Sequence, residues 1–519
     1  MIETAIGIEF GSTRIKAVAA DGAGKVVAKG SYEWENRLTD GEWTYSEEDI
    51  ISGLRAAFGA LKADHYAKTG EKLRSASALG ISGMMHGYLP VDAGGKMLSR
   101  FLTWRNTSAH EEAEELSALF GFNIPARWSI AHLYRQIKKC AAHLGEIYKI
   151  TTLSGYVHYL LSGSHAVGAD EASGIFPLSG TEYDRDMAEK FNKTAEKYGF
   201  FQKIPDIFPA IVPPGKRAGV LTEAGALLLD PTGEFGSGVP MCAPEGDAAT
   251  GMVATNSVSP GTANVSAGTS VFSMTVLKKP LSSAHPEIDI VATPEGAPVA
   301  MIHCNNGTGD MDDWTAVFGE ALQLFGLKPR KEELYSTLYG IAEKGSADAG
   351  GITDAGFLSG ESILGLDRAV PVFVRPADRG LRLADIMKAK FYAVFAALRY
   401  GTDILEKEGV KADIMCCHGG YFKSGAGLKT AANALKTEVR VYPEAGEGGA
   451  WGMALLALYM IKGGDKTLGR YLSEDIFAGI SSQTLAPSPD GMAGFDKYYL
   501  NFLKTLPGIR TISESKAKI

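Results

Sequence analysis

Two segments far apart in this chain repeat one another, and that repetition constrains the fold more than any other feature. Near the start, the apolar run Ile6-Gly7-Ile8-Glu9-Phe10 leads into Gly11-Ser12-Thr13, and Ile15 to Ala20 returns. Downstream, Asn264-Val265-Ser266-Ala267 leads into Gly268-Thr269-Ser270, and Val271 to Val276 returns. Short apolar runs flanking a glycine–hydroxyl–hydroxyl turn read as β-hairpins. Their separation is too large for a solenoid repeat. The echo predicts two related halves, each opening with a hairpin. The chain is long enough for both: 519 residues suit two or three domains of roughly 100–200 residues.

Local patterning fills in an α/β alternation. Asp21 to Gly24 connects to a third strand over Lys25 to Lys29. Ser46 with Asp49 forms a capping-box pattern, and Ile50, Ile51, Leu54, Phe58 and Leu61 recur at helical spacing. Ala76 to Ile81 reads as a buried strand ending in Ser82-Gly83-Met84-Met85-His86-Gly87, with extended structure again over Tyr88 to Val91. Residues 109 to 160 are mostly helical in pattern. Leu383 to Leu405 is an amphipathic helix with Ile386, Met387, Phe391, Val394, Phe395 and Leu398 on one face. Ile414 to Cys417 is a strand ending at His418-Gly419-Gly420, and Val439 to Tyr442 is another. Gly448-Gly449-Ala450-Trp451 opens an apolar helix through Met460, and the polar end, Ser513 to Ile519, is expected to fray. No long linker occurs, so two domains joined by short crossings, with a cleft between, are expected.

Composition excludes several classes. The chain has 45% apolar and 22% charged residues, as a globular protein does. The 52 basic and 60 acidic residues leave a net charge of −8, without the basic excess of a nucleic-acid binder. Its 62 glycines exceed the usual ~7% and suggest close backbone approaches, as in phosphate-handling α/β proteins. The five cysteines are odd in number and sparse, which argues for a reducing compartment and no disulfide framework. Cys416-Cys417-His418 lacks a second ligand pair at zinc spacing. Met1-Ile2-Glu3-Thr4 does not begin a signal peptide, and no apolar run could span a membrane. The expected location is cytoplasmic.

Five clusters can carry chemistry, and four of them have a plainer reading beside them. In Gly11-Ser12-Thr13, glycine permits close approach while successive N–H groups and two hydroxyls can hold phosphate oxygens; the plainer reading is an ordinary turn. Glu9 beside it could hold hydrated Mg²⁺. Gly268-Thr269-Ser270 offers the same chemistry, and no Gly-x-x-x-x-Gly-Lys-Ser/Thr loop exists to make this a P-loop enzyme. Asp247, in Pro244-Glu245-Gly246-Asp247-Ala248-Ala249, is either a carboxylate that takes a proton from an attacking hydroxyl or a helix N-cap. His86 is a structural histidine or a pocket residue. Trp104-Arg105-Asn106 suits a sugar site or a surface loop.

In their order along the chain, these motifs resemble the FGGY family of carbohydrate kinases. The resemblance rests on Gly7-Ile8-Glu9-Phe10-Gly11-Ser12-Thr13, Ser82-Gly83-Met84-Met85-His86-Gly87, Glu171-Ala172-Ser173-Gly174, Gly246-Asp247-Ala248-Ala249, Gly268-Thr269-Ser270, His418-Gly419-Gly420 with Ser424, and Glu447-Gly448-Gly449-Ala450-Trp451-Gly452. It implies two ribonuclease-H-like domains of the actin superfold with an interdomain cleft. It also implies ATP with Mg²⁺ and transfer of the γ-phosphate to a sugar hydroxyl. By that resemblance Asp247 is the general base and contributes with Glu9 to Mg²⁺ binding. Gly11, Ser12, Thr13, Gly268, Thr269 and Ser270 hold phosphates, and Gly419, Gly420 and Ser424 border the adenosine. Met85, His86, Trp104 and Asn106 border the sugar, with Asp247. The Met-His-Gly segment is most similar to the xylulokinase branch. The chain departs from the family pattern at Glu9, where aspartate is usual, and at Met84, where glutamine is usual. It departs again at Asn106 and Ser108, around Ser129 to Arg135, and at Ser359-Gly360-Glu361-Ser362.

The resulting expectation is an N-terminal kinase domain over 1–253, a C-terminal nucleotide-binding domain over 254–480 and an extension over 481–519. The expected activity is ATP-dependent phosphorylation of a ketose, xylulose- or ribulose-like, or of a related polyol. The expected partner is a small-molecule sugar, with no nucleic acid and no membrane, and with room for a homodimer. Two rivals are a non-catalytic actin-superfold ATPase switch and a degenerate sugar sensor. The first would not need Asp247; the second would bind sugar without turnover.

Overall fold

The computed structural model describes residues 4–443 and 448–516. The chain forms two compact units. The first holds the described residues up to 260, together with 289–299 and 448–480; the second holds 261–288, the described part of 300–446, and 481–516. Among the described residues, no helix is long and apolar enough to cross a membrane.

The first unit is built on the strand Thr4–Phe10. It pairs antiparallel with Arg14–Asp21, with Glu9 opposite Lys16, and parallel with Ala78–Gly83, with Glu9 opposite Ser82. Strands Val26–Glu33, Pro240–Cys242 and Arg217–Val220 extend this sheet. Ile6, Ile8 and Phe10 are fully buried with Phe58 and Leu61 of the helix Glu47–Thr69. That helix starts as the sequence predicts: Ser46 and Asp49 form both halves of a capping box. The helix Gly449–Lys462 packs against Thr4–Phe10 and Ala78–Gly83. At Gly7 the approach is so close that a Cβ would lie 2.1 Å from the Ala450 carbonyl oxygen, so the helix could not sit there over any other residue.

The second unit repeats the core pattern. Thr262–Ala267 pairs antiparallel with Val271–Val276 and parallel with Ile414–His418, which pairs parallel in turn with Glu438–Val441. In both units a central strand thus has its hairpin partner on one side and a parallel strand on the other. Both hairpins turn through three residues. The helix Leu383–Lys407 packs on this sheet through Val271–Val276.

Packing groups two parts of the chain differently from the expected linear division. A linear division assigns 448–480 to the second domain and makes 481–519 an appendage. The segment 448–480 instead packs into the first unit, because the helix Gly449–Lys462 is apolar nearly all round and covers that unit's sheet. The end of the chain belongs to the second unit. Pro489–Lys516 is a helix packed on Gly425–Leu435, and its Phe495, Tyr498, Phe502 and Ile509 are fully buried. Fraying therefore does not begin at Ser513, which is itself buried; residues 517–519, like Glu447 of the last motif, lie outside the described residues.

Candidate active site

Three aromatic side chains fix the tip of the first hairpin. Trp34 Nε1 donates to the Gly11 carbonyl (2.7 Å), the Tyr45 hydroxyl to the Ser12 carbonyl (2.5 Å), and Trp104 Nε1 to Ser12 Oγ (3.1 Å). Trp34 and Tyr45 stack with centroids 4.0 Å apart. The turn closes through Gly11 N–H to the Arg14 carbonyl (3.0 Å) and leaves Thr13 exposed. Trp104 thus spends its N–H on the hairpin. Asn106 spends its whole amide on backbone: Oδ1 accepts from Trp43 N–H (2.9 Å), and Nδ2 donates to the Trp43 and Thr103 carbonyls. It shapes the loop that carries Trp104. Arg105 lies over the Trp43 ring, 3.7 Å from its centroid.

Glu9 leaves the central strand and reaches the start of the helix Gly449–Lys462. Its Oε2 accepts from Ala450 N–H (3.2 Å). Burial raises its pKa, against the pull of Lys16 and of that N–H. Asp247 is the first residue of the helix Asp247–Val253, whose N-cap is Gly246. The aspartate is therefore not the cap, and its carboxylate is free of that duty. Burial raises its pKa to about 7, helped by the charge of Glu9 and opposed by the backbone N–H groups of Met85 and Ala248.

Met85 lies close to Asp247, whose carboxylate accepts its backbone N–H, and His86 follows it in the chain. Met85 approaches Gly246 so closely that a Cβ there would be 2.2 Å from Met85 Cγ. His86 holds a left-handed backbone conformation (φ 70°) and is buried. Its ring is parallel to the Trp128 indole, with centroids 6.0 Å apart, and its Nδ1 lies 3.4 Å from the Gly174 carbonyl. Non-glycine residues in that conformation are uncommon and concentrate at functional sites.

Beneath Asp247 lie three buried acids that motif reading missed or left without a role: Asp170, Glu171 and Glu245. Glu245 Oε2 accepts from the N–H groups of Asp170 (3.1 Å) and Glu171 (3.3 Å), and Asp170 Oδ2 accepts from Ala249 N–H (3.3 Å). Glu171 accepts from Ser154 Oγ (2.8 Å). Burial raises all three, Glu171 and Glu245 to about 8. The available signal was acids set among small and apolar residues, as in Gly168-Ala169-Asp170-Glu171-Ala172, because such carboxyls are costly to bury and need a specific partner.

One consequence is measurable. The folded Glu171 titrates near 8 against an ordinary value of 4.5. Its contribution to stability is complete below about 4.5 and is lost as pH rises through about 8. The loss is at most ~1.4 kcal/mol per pH unit. Glu171→Gln keeps the hydrogen bond from Ser154 and cannot ionise. The variant is expected to lose less stability than the parent between pH 5 and 9 in denaturant titrations. Parallel losses would mean that Glu171 is not the titrating group.

The second unit holds the other hairpin. Gly268 N–H donates to the Ser270 carbonyl (3.0 Å), and the Gly268 carbonyl accepts from Thr308 N–H (2.8 Å), just before the helix Gly309–Leu324. Gly307 packs so tightly there that a Cβ would lie 2.1 Å from the Gly268 carbonyl. Buried Glu361 accepts from the N–H groups of Asn305 (3.0 Å) and Asn306 (3.1 Å), fixing the segment that leads to Thr308. The Gly360-Glu361 pair in the sequence was the clue to this support. Gly419 (φ 109°) follows the strand Ile414–His418 and abuts Ala267, at the foot of the same hairpin. Ser424 caps the helix Gly425–Leu435 by accepting from Gly427 N–H (3.1 Å).

Comparison with known proteins identifies this arrangement. Residues 4–254 match the N-terminal domain of the FGGY family of carbohydrate kinases, and residues 263–461 match its C-terminal domain. The chain belongs to that family and is an ATP-dependent sugar kinase. It is 23% identical over 473 residues to a xylulose kinase of Haemophilus influenzae, covering 88% of this chain and 90% of that one. Two solved structures from Lactobacillus acidophilus, a ligand-bound xylulose kinase and a gluconate kinase, each superpose with a TM-score of 0.80. Each is 16% identical over 99% of this chain and 100% of theirs. Equal likeness to enzymes named for a ketose and for a sugar acid shows the shared fold and leaves the sugar to the site itself.

Proposed function

We propose that the chain phosphorylates a hydroxyl of a neutral ketose, xylulose- or ribulose-like, or of a related polyol, with Asp247 as general base. The observation that carries this reading is the position of Asp247: the first residue of a helix, not its cap, next to Met85, with a carboxyl poised near neutrality. A base titrating near the working pH combines the right protonation state with useful basicity.

The mechanism follows from what each group can do. His86 and the Trp104 ring orient the sugar, and the ionised Asp247 accepts the proton of the attacking hydroxyl. The N–H and hydroxyl groups of Ser12 and Thr13, and of Thr269 and Ser270, hold phosphate oxygens, with Gly11 and Gly268 closing the two turns through their own N–H groups and leaving room for close approach. Gly419, Gly420 and Ser424 border the adenosine, with the Ser424 hydroxyl held in the helix cap. In-line phosphoryl transfer asks little more of a protein than such positioning and charge neutralisation. Glu9 and Asp247 suit Mg²⁺: the charge of the Glu9 carboxylate raises the proton affinity of Asp247, which marks negative charge that a divalent cation would relieve. Among the described residues, no group of three or more His, Cys, Asp or Glu could hold a metal alone. That agrees with Mg²⁺ bound by one or two carboxylates plus waters and substrate phosphates. When bound, the ion neutralises charge on the transferring phosphoryl group.

A coupled ADP-release screen across ketoses, aldoses and polyols tests the reading; ATP turnover independent of every sugar would refute it. Glu9 adds a second test. Glu9→Gln keeps an acceptor for Ala450 N–H but lowers the charge offered to Mg²⁺. The Mg²⁺ concentration for half-maximal rate should rise several-fold. An unchanged titration curve would leave Glu9 as a helix cap only.

A further inference from the structure

The Asp247 helix begins without a cap of its own. Its N-cap is Gly246, which has no side chain to offer the first turn. The acceptor comes from elsewhere in the sequence: Asp170 Oδ2 takes Ala249 N–H, the third helical residue, at 3.3 Å. Asp170 occupies the space an N-cap side chain would fill. A Cβ on Gly246 would lie 2.5 Å from Asp170 Oδ2.

The helix that carries Asp170 has the same defect and the reverse remedy. Ala169–Ser173 starts at Gly168, again with no side-chain cap. Glu245, the residue before Gly246, supplies the acceptor for the N–H groups of Asp170 (3.1 Å) and Glu171 (3.3 Å). A Cβ on Gly168 would lie 2.0 Å from Glu245 Oε1. Each segment thus caps the other's helix, and each glycine is required because the partner's carboxylate fills the place of its side chain. Asp170 is fully buried and Glu245 nearly so.

We infer that this reciprocal cap makes Asp170 the positioning residue for Asp247, fixing the first turn from which the base projects. The inference rests on the reading of Asp247 as base. Asp170 touches no reacting atom; it acts through the Ala249 N–H and the helix start. Misplacement of a reacting group by about 1 Å can cost ~10²-fold in rate. Loosening this turn should therefore lower kcat and leave ATP binding alone, since no phosphate-holding residue bonds to Asp170.

The experiment compares Asp170→Ala with Asp170→Asn in the full chain, both melted first to confirm folding at the assay temperature. Asp170→Ala is expected to lose ~10–10²-fold in kcat with KM for ATP within twofold of the parent. Asp170→Asn keeps an acceptor of the same reach and should recover to within a few-fold. A loss of packing alone would lower the melting temperature without separating kcat from KM. If Asp170→Ala does not fold, Gly168→Ala breaks the same device from the other side and carries the same expectation. Amide exchange over residues 247–253 reads the cap without any assay: faster in Asp170→Ala, restored in Asp170→Asn. Full kcat in a folded Asp170→Ala, unchanged exchange, or an asparagine variant as damaged as the alanine one each overturns the inference. A parent inactive toward every sugar would instead remove the kinase reading of Asp247, and the exchange measurement would still decide the cap.

Discussion

Replacing Asp247 by asparagine is expected to lower kcat by ~10²–10⁴-fold, the range for losing a general base, while KM for ATP stays nearly unchanged. Asparagine keeps the shape at the first helical position. The structure removes the main alternative for this residue, since the cap of its helix is Gly246 and the Ala249 N–H is served by Asp170. What the substitution takes away is proton acceptance. The parent should show the matching pH signature. With a carboxyl titrating at about 7, the unprotonated fraction falls tenfold per unit below that pH. The kcat/KM profile of the free enzyme should therefore bend downward below about pH 7 with unit slope. An Asp247→Asn enzyme with near-parental kcat would end the base assignment; a flat profile from pH 5 to 8 would place the base elsewhere.

What could be read from the sequence was mostly local. The Ser46–Asp49 capping box, the two hairpins and the helix from Leu383 depend on residues a few positions apart, and the structure holds them where pattern alone puts them. Asp247 was legible as a residue, but its two readings, base and cap, were not separable. Only the tertiary contact from Asp170 shows that the cap is supplied from another part of the chain. The acids at 170, 171 and 245 were illegible for the same reason, because nothing in a linear stretch says that two carboxylates will each serve the other's helix. The return of the helix Gly449–Lys462 to the first unit was also hidden. An apolar helix announces that it will be buried, not against which sheet, and Gly7 looks like any strand glycine until that helix crosses it. Asn106 misled in the opposite sense. Its residue type suits a sugar site, yet both ends of its amide are bound to backbone.

The best ketose substrate is expected to have a kcat/KM at least ~10²-fold above glycerol, the scale for leaving polar groups of a site without partners. With Asn106 committed to its loop and the Trp104 N–H to Ser12, the polar side chain proposed for discrimination is His86, whose ring is parallel to the Trp128 indole. An imidazole can donate with one nitrogen and accept with the other, which suits a neutral polyhydroxylated chain. A sugar acid needs a cation, and the nearby Arg105 is held over Trp43. Glycerol has fewer hydroxyls than a ketose with which to pair the histidine once one is presented to Asp247. Testing His86 requires care with its backbone. At φ 70° an alanine would add strain, whereas asparagine tolerates the left-handed region. His86→Asn therefore removes the imidazole with least disturbance, and it should raise KM for the sugar by ~10-fold or more, the cost of one lost hydrogen-bond partner, with KM for ATP unchanged. If glycerol or an aldonate leads a side-by-side screen, or if His86→Asn weakens ATP and sugar equally, the neutral-ketose assignment fails. The pocket would then have to be rebuilt from the Arg105–Trp43 pair, with that guanidinium freed from the ring it now covers to meet a negatively charged substrate.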